Sequence, residues 1–332
     1  MDLVLEPWAL MTLLICFGGG IVGTAVGALF AFVMCGFLVF MGCIVVLVGG
    51  GDFLLMQVGL GPIWGPHVGG FIAGAIAGTY AAGIKKNHPN WAGLGGKDIL
   101  SPLIGTSWDV MVVGGLAAVA THAVFQLLLI IPIINKFDCI ALSLVLTAML
   151  ARGLFQKQAP WGDMESIKKH GYLGTDNHAI SWVPWMAPWR LLVVYGFGWG
   201  LLSGGLAWAT KTMLDPMLAE GLVSATGAFV VPLILGWSIA AIMLIGLNLA
   251  ADVTLGGTIQ KFPVQHHNAI LAALAFLYWG NILIAGIVGL LSALLGELMA
   301  RMFWNHGSNH IDPPACAIAV GTFLLWLASL IF

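Results

Sequence analysis

The sequence predicts an all-α, polytopic membrane protein of eight to ten transmembrane helices, built as two internal repeats of parallel orientation with helices broken at glycine and proline. Three observations carry this prediction. The chain of 332 residues is 60% hydrophobic and only 8% charged, against about a quarter charged in a soluble domain. Uncharged runs span 7–51, 53–84, 110–135, 191–210, 221–251, 262–296 and 313–332, each long enough for the roughly 20 residues a spanning helix needs. Short motifs recur in matching order in the two halves.

Taken in order, the run 7–51 is long enough for two spans and opens with Pro7-Trp8-Ala9-Leu10. The run 53–84 carries Gly69, Gly70, Gly74 and Gly78, a spacing that places small residues on one helix face and lets backbones approach closely in lipid. Trp108-Asp109 leads into 110–135. Asn135-Lys136-Phe137-Asp138 then precedes a shorter span. From Arg152 to Arg190 the chain is polar but holds Trp161, Trp182, Trp185 and Trp189, aromatics that favour the bilayer–water boundary. This linker is expected to lie on the cytoplasmic surface. The first repeat is assigned to 1–157, the linker to 158–187 and the second repeat to 188–332.

The second half repeats the signals. Pro188-Trp189-Arg190-Leu191 opens it, Leu255-Gly256-Gly257 answers Leu94-Gly95-Gly96, Trp279-Gly280-Asn281 answers Trp108-Asp109, and Asn309-His310-Ile311-Asp312 answers the earlier Asn-x-x-Asp. The run 262–296 makes an overlong single helix at 1.5 Å per residue, so tilt, a re-entrant piece or a hairpin near Trp279-Gly280 must absorb the excess. Lysines and arginines cluster at 85–97, in the linker and at Lys261, and the positive-inside rule puts those loops in the cytoplasm. Both Asn-x-x-Asp turns then fall together on the outer face of the cytoplasmic (inner) membrane, and the C-terminus falls inside.

Composition also narrows the chemistry. Net charge is −2 with scattered basic residues, so no nucleic acid is expected. No cofactor or resident metal is expected either: the five cysteines lie in or beside apolar runs without metal-ligand spacing, and no phosphate-binding loop or catalytic-carboxylate motif is present. Asp312 followed by Pro313 reads as a helix start, with aspartate capping free N–H groups and proline suiting the first turn; Asp138 reads the same way.

Ionisable groups inside spans are costly unless they face water or a partner. The candidate site residues are therefore Asp138, Asp312, Pro313, His67 and His310 at the outer end of a pathway, with Asp109, His122 and Asn281 deeper. The expected function is that of a transporter or channel for a small solute or ion, working in the lipid bilayer as a homo-oligomer or beside a partner membrane subunit. The alternatives are a non-catalytic subunit or scaffold of a larger complex and, with less support, an intramembrane enzyme. Structural capping alone also explains both aspartates.

Overall fold

The computed structural model describes residues 4–84, 95–174, 179–250 and 262–332. Among these residues there is no β-strand; the elements are helices. α1 (Leu10–Val26) and α2 (Ala28–Leu47) meet at Gly27, whose φ of +91° is strained for any residue with a side chain. The long uncharged run 7–51 is therefore two helices sharing a one-residue joint.

Past α2 the chain forms a π-helical turn at Leu54–Gly59, an irregular stretch over 60–71, and α3 (Ile72–Ile84). This segment runs back along α2, with the Trp64 indole N–H donating to the Ala31 carbonyl at 3.1 Å. The irregular stretch carries Gly61, Pro62, Gly65, Pro66, Gly69 and Gly70, so a regular helix is not available to it. Its backbone is satisfied locally instead: Trp64 bonds Val58, Gly65 bonds Gly61, Gly70 bonds Gly65 and Ile72 bonds Pro66. Irregular backbone inside a membrane protein is tolerable when it is enclosed by protein in this way.

α4 (Trp108–Ile130) and α5 (Cys139–Gln156) complete the first half, and α6 (Met164–His170) lies in the linker. The second half begins with α7 (Trp189–Ala219), then α8 (Ala225–Met243) and, after Leu244, α9 (Ile245–Ala250). α10 (His266–Trp279) and α11 (Ile282–Met299) form a hairpin whose turn has Gly280 in the left-handed region at φ +62°. The excess length of 262–296 is absorbed there. A π-helical turn at Ala300–Trp304 extends α11, and α12 (Pro313–Ser329) ends the described chain.

Among the described residues six helical segments are long and apolar enough to cross a membrane, and α1, α3 and α12 are shorter apolar helices. Leu14, Val22, Leu116, Leu127, Leu202 and Leu291 stand exposed on their outer faces, a display that suits lipid and not water. This is a multi-pass membrane protein.

The packing is set by small residues. A Cβ on Gly20 of α1 would lie 2.6 Å from the Gly114 carbonyl of α4, and one on Gly196 of α7 would lie 2.7 Å from Ala293 of α11. Both pairs run antiparallel: Pro7, before α1, contacts His122 late in α4, and Gly204 of α7 faces Ala285 early in α11. Between the halves, α2 crosses α8 antiparallel, with Gly36 against Ala241 and Val46 against Gly227.

One expectation is corrected here. The two Asn-x-x-Asp turns do not share a face, and the halves are not parallel. Phe137 stacks on Phe323 near the C-terminal end of α12, at 4.3 Å between ring centroids. Asn309 instead bonds Ala148 and Arg152 near the C-terminal end of α5. The helices α5 and α12 are therefore antiparallel, and Phe332 lies on the face of the 131–138 turn, away from the linker. The proposed Leu94-Gly95-Gly96 and Leu255-Gly256-Gly257 match lies partly outside the described residues, Leu94 and all of 255–257 among them.

Candidate functional site

Three cavities line up between the halves. The first, about 540 Å³, lies under the 95–101 loop and the linker residues Trp182, Val183 and Trp185. The second, about 170 Å³, is central and almost entirely apolar, its polar lining being Asp138, His266 and Asp312. The third, about 300 Å³, lies under the Asn135–Asp138 turn and the C-terminal part of α12. The first and second share Phe32, Leu144, His266 and Asp312. Asp138, Leu233 and Ile270 are common to the second and third.

Each aspartate sits at one junction because it caps a helix. Asp138 accepts from the Ala141 N–H at 2.8 Å at the start of α5. Asp312 accepts from the Ala315 N–H at 2.9 Å at the start of α12, with Pro313 in the first turn. A short side chain satisfying free N–H groups must stay at the helix end, so the cap fixes the carboxylate at the cavity wall. The second oxygen of Asp312 accepts from His310 Nε2 at 3.2 Å, and the other ring nitrogen of His310 accepts from the Trp304 indole at 3.0 Å.

On the linker side of the first cavity, Lys97 donates to the Asn305 carbonyl at 3.0 Å and lies 3.8 Å over the Trp304 ring. Burial, and then the nearby Arg152 guanidinium, pull its pKa down to about 7. The carbonyl and the ring face oppose that shift by favouring the ammonium. Arg152, fully buried, donates to the Asn309 side chain and to the carbonyls of Phe303, Asn309 and Pro160. It pins the 303–309 segment against α5, and so holds the turn that presents His310 and Asp312.

Of the residues singled out from sequence, Asp138, Asp312 and His310 line the cavities and Pro313 packs beside them. The others do not join them. His67 and His122 are buried against each other, ring nitrogens 3.4 Å apart, and His122 also contacts the Pro7 carbonyl. Asp109 is engaged by the Tyr80 and Ser107 hydroxyls at the N-terminal end of α4. Asn281 is exposed and caps α11 through the Leu283 and Ile284 N–H groups. Asp109, His122 and Asn281 do not line these three cavities, whereas His266 lines the first two.

His266 is the cavity residue that sequence reasoning missed. The available signal was position: Gln265-His266-His267-Asn268 interrupts the run 262–296, which is too long for one helix. All four are buried, and Gln265 Oε1, His266 Nδ1, both ring nitrogens of His267 and both amide atoms of Asn268 have no hydrogen-bond partner. Gln265 makes no side-chain cap at the start of α10. Among the described residues no cluster of three or more His, Cys, Asp or Glu is placed to hold a metal ion.

A family model covers residues 3–331. The chain belongs to the family of unknown function DUF7973. No curated protein and no solved structure matches it.

Proposed function

We propose that the protein moves a small solute or ion across a membrane, along the three cavities between its halves. The observation that carries this reading is the sharing of lining residues from one cavity to the next, with a half-buried carboxylate at each junction. A packing subunit has no need of carboxylates on internal cavities, since each is costly to bring out of water.

The chain is read as ten crossings arranged as two five-helix repeats of inverted orientation. α1, α2, α3, α4 and α5 correspond to α7, α8, α10, α11 and α12. Supporting this are the paired antiparallel contacts of α1 with α4 and of α7 with α11, the antiparallel crossing of α2 and α8, and the aspartate caps of α5 and α12. An odd number of crossings per repeat inverts the second copy. The interruptions at 60–71 and at the start of α10 put Leu60, Pro66 and His266 on the central cavity, an arrangement on which many transporter folds build their binding sites. The linker face carries Lys97, Lys157, Lys168, Lys169 and Arg190 and is assigned to the cytoplasm.

The test is reconstitution. Stopped-flow swelling of proteoliposomes with a panel of glycerol, urea, glycine and alkali-metal chlorides should show at least one solute entering faster than in protein-free vesicles. Asp138→Asn and Asp312→Asn should each slow it about tenfold or more. Unchanged entry in both variants would remove this pathway.

A further inference from the structure

We propose that the protein binds and carries protons, and that Asp312 with His266 forms the site, at the junction of the first and central cavities. This deepens the transport reading and rests on it. The argument begins with hydrogen-bond direction. An indole N–H can only donate, so the His310 nitrogen that faces Trp304 Nε1, 3.0 Å away, carries no hydrogen. The hydrogen of a neutral imidazole then sits on Nε2 and is donated to Asp312. Trp304 thus orients the ring so that His310 Nε2 supplies Asp312 with a hydrogen bond.

Among the described residues no lysine or arginine pairs with Asp312. A carboxylate in this position calls for a cation that comes and goes. His266 faces the same two cavities, is 95% buried, and has a ring nitrogen, Nδ1, with no partner. Its ring is packed by Phe32 at 5.0 Å and Trp237 at 6.3 Å, so it cannot swing away to water.

The same geometry discriminates among cations. A metal ion stripped of water needs several oxygen ligands around it. The central cavity offers two carboxylates and one imidazole among apolar walls. A proton needs a single lone pair. In one passage a proton from the first cavity binds a carboxylate oxygen of Asp312. Transfer to His266 restores the carboxylate and leaves an imidazolium. Release into the central cavity, toward Asp138, restores the neutral ring.

The other titratable or charged groups around the site are Lys97 and Asp98 from the 95–101 loop, Asp138 at the cap of α5 and Arg152 on α5, His267 on α10 and Cys316 on α12; α2, the 60–71 stretch and α8 contribute Phe32, Phe71 and Trp237.

The experiment uses the full chain in liposomes loaded with a pH-sensitive dye. Membrane potential is clamped by potassium and valinomycin, and the solute panel is present. Expected is acidification faster than in protein-free vesicles, lowered about tenfold or more by Asp312→Asn and by His266→Gln. Asp215→Asn, in an exposed ion pair with Lys211, should leave it unchanged. Asparagine retains the helix cap, and unaltered size-exclusion elution and thermal unfolding confirm that each variant is folded. Wild-type flux in Asp312→Asn overturns the proposal, as does absence of proton flux in the wild type. If solute enters but protons do not, the proton site falls and the transport reading stands; if neither enters, both fall.

Discussion

Lys97, half-buried, and Arg152, fully buried, show how differently two cations can be used. With its pKa near 7, Lys97 is an ammonium below neutrality and a free amine above it. Acylation requires the free amine, so labelling of Lys97 should rise through about pH 7 and level off. A lysine with the ordinary value near 10.4 keeps gaining reactivity well past pH 9. Peptide-resolved mass spectrometry reads the difference, and a Lys97 profile with no inflection near 7 would refute the shift. Between about 7 and 10.5 the unfolded chain holds a proton here that the folded chain has lost, so this group favours folding more as pH rises. Arg152 is held by three carbonyl groups on two segments, Pro160 in the linker and Phe303 and Asn309 before α12. Arg152→Met should cost about 3 kcal/mol or more in unfolding free energy by stranding buried polar partners. Denaturation in detergent tests that loss. The role of Arg152 could not be read from sequence, because all its partners but Pro160 lie more than 150 residues away. Asp138 and Asp312 could be read, because helix capping is local.

At the scale of elements, the sequence signals were strongest where one residue type decides the backbone. Gly27→Ala places a Cβ where φ is +91° and the Ser101 carbonyl lies 2.8 Å off. It should destabilise by about 1–2 kcal/mol, measurable as a lower thermal midpoint in detergent. Gly196→Leu should be worse than Gly198→Leu, since Gly196 abuts Ala293 and the Gly289 backbone whereas nothing lies within 4 Å of a Cβ on Gly198. Equal midpoints for the two would contradict the α7–α11 packing. Hydropathy marked out the apolar runs but not their internal breaks, because lipid-facing and buried residues in a membrane helix are equally apolar. Hence the hairpin at Gly280 was one of several options, and the start of α10 inside 262–296 was visible only as four polar residues.

For the whole molecule, short sequence matches carry no information about direction, and the parallel arrangement expected from them does not hold for α5 and α12. Asn-x-x-Asp caps a helix equally well whichever way that helix points, so the motif cannot report the orientation of its half. Single-cysteine labelling settles the direction. Positions 136 and 329 should react from one side of the membrane and position 161 from the other; reaction of 136 and 161 from the same side would undo the inverted reading.

The joint at Gly27 has a mechanical consequence. A connection of one residue has no slack, so α1 cannot tilt against the bilayer without levering α2. Because α2 crosses α8, that torque passes straight into the opposite half. A lengthened joint, with three glycines inserted there, should disengage the two motions and leave each bundle folded but out of step with its twin.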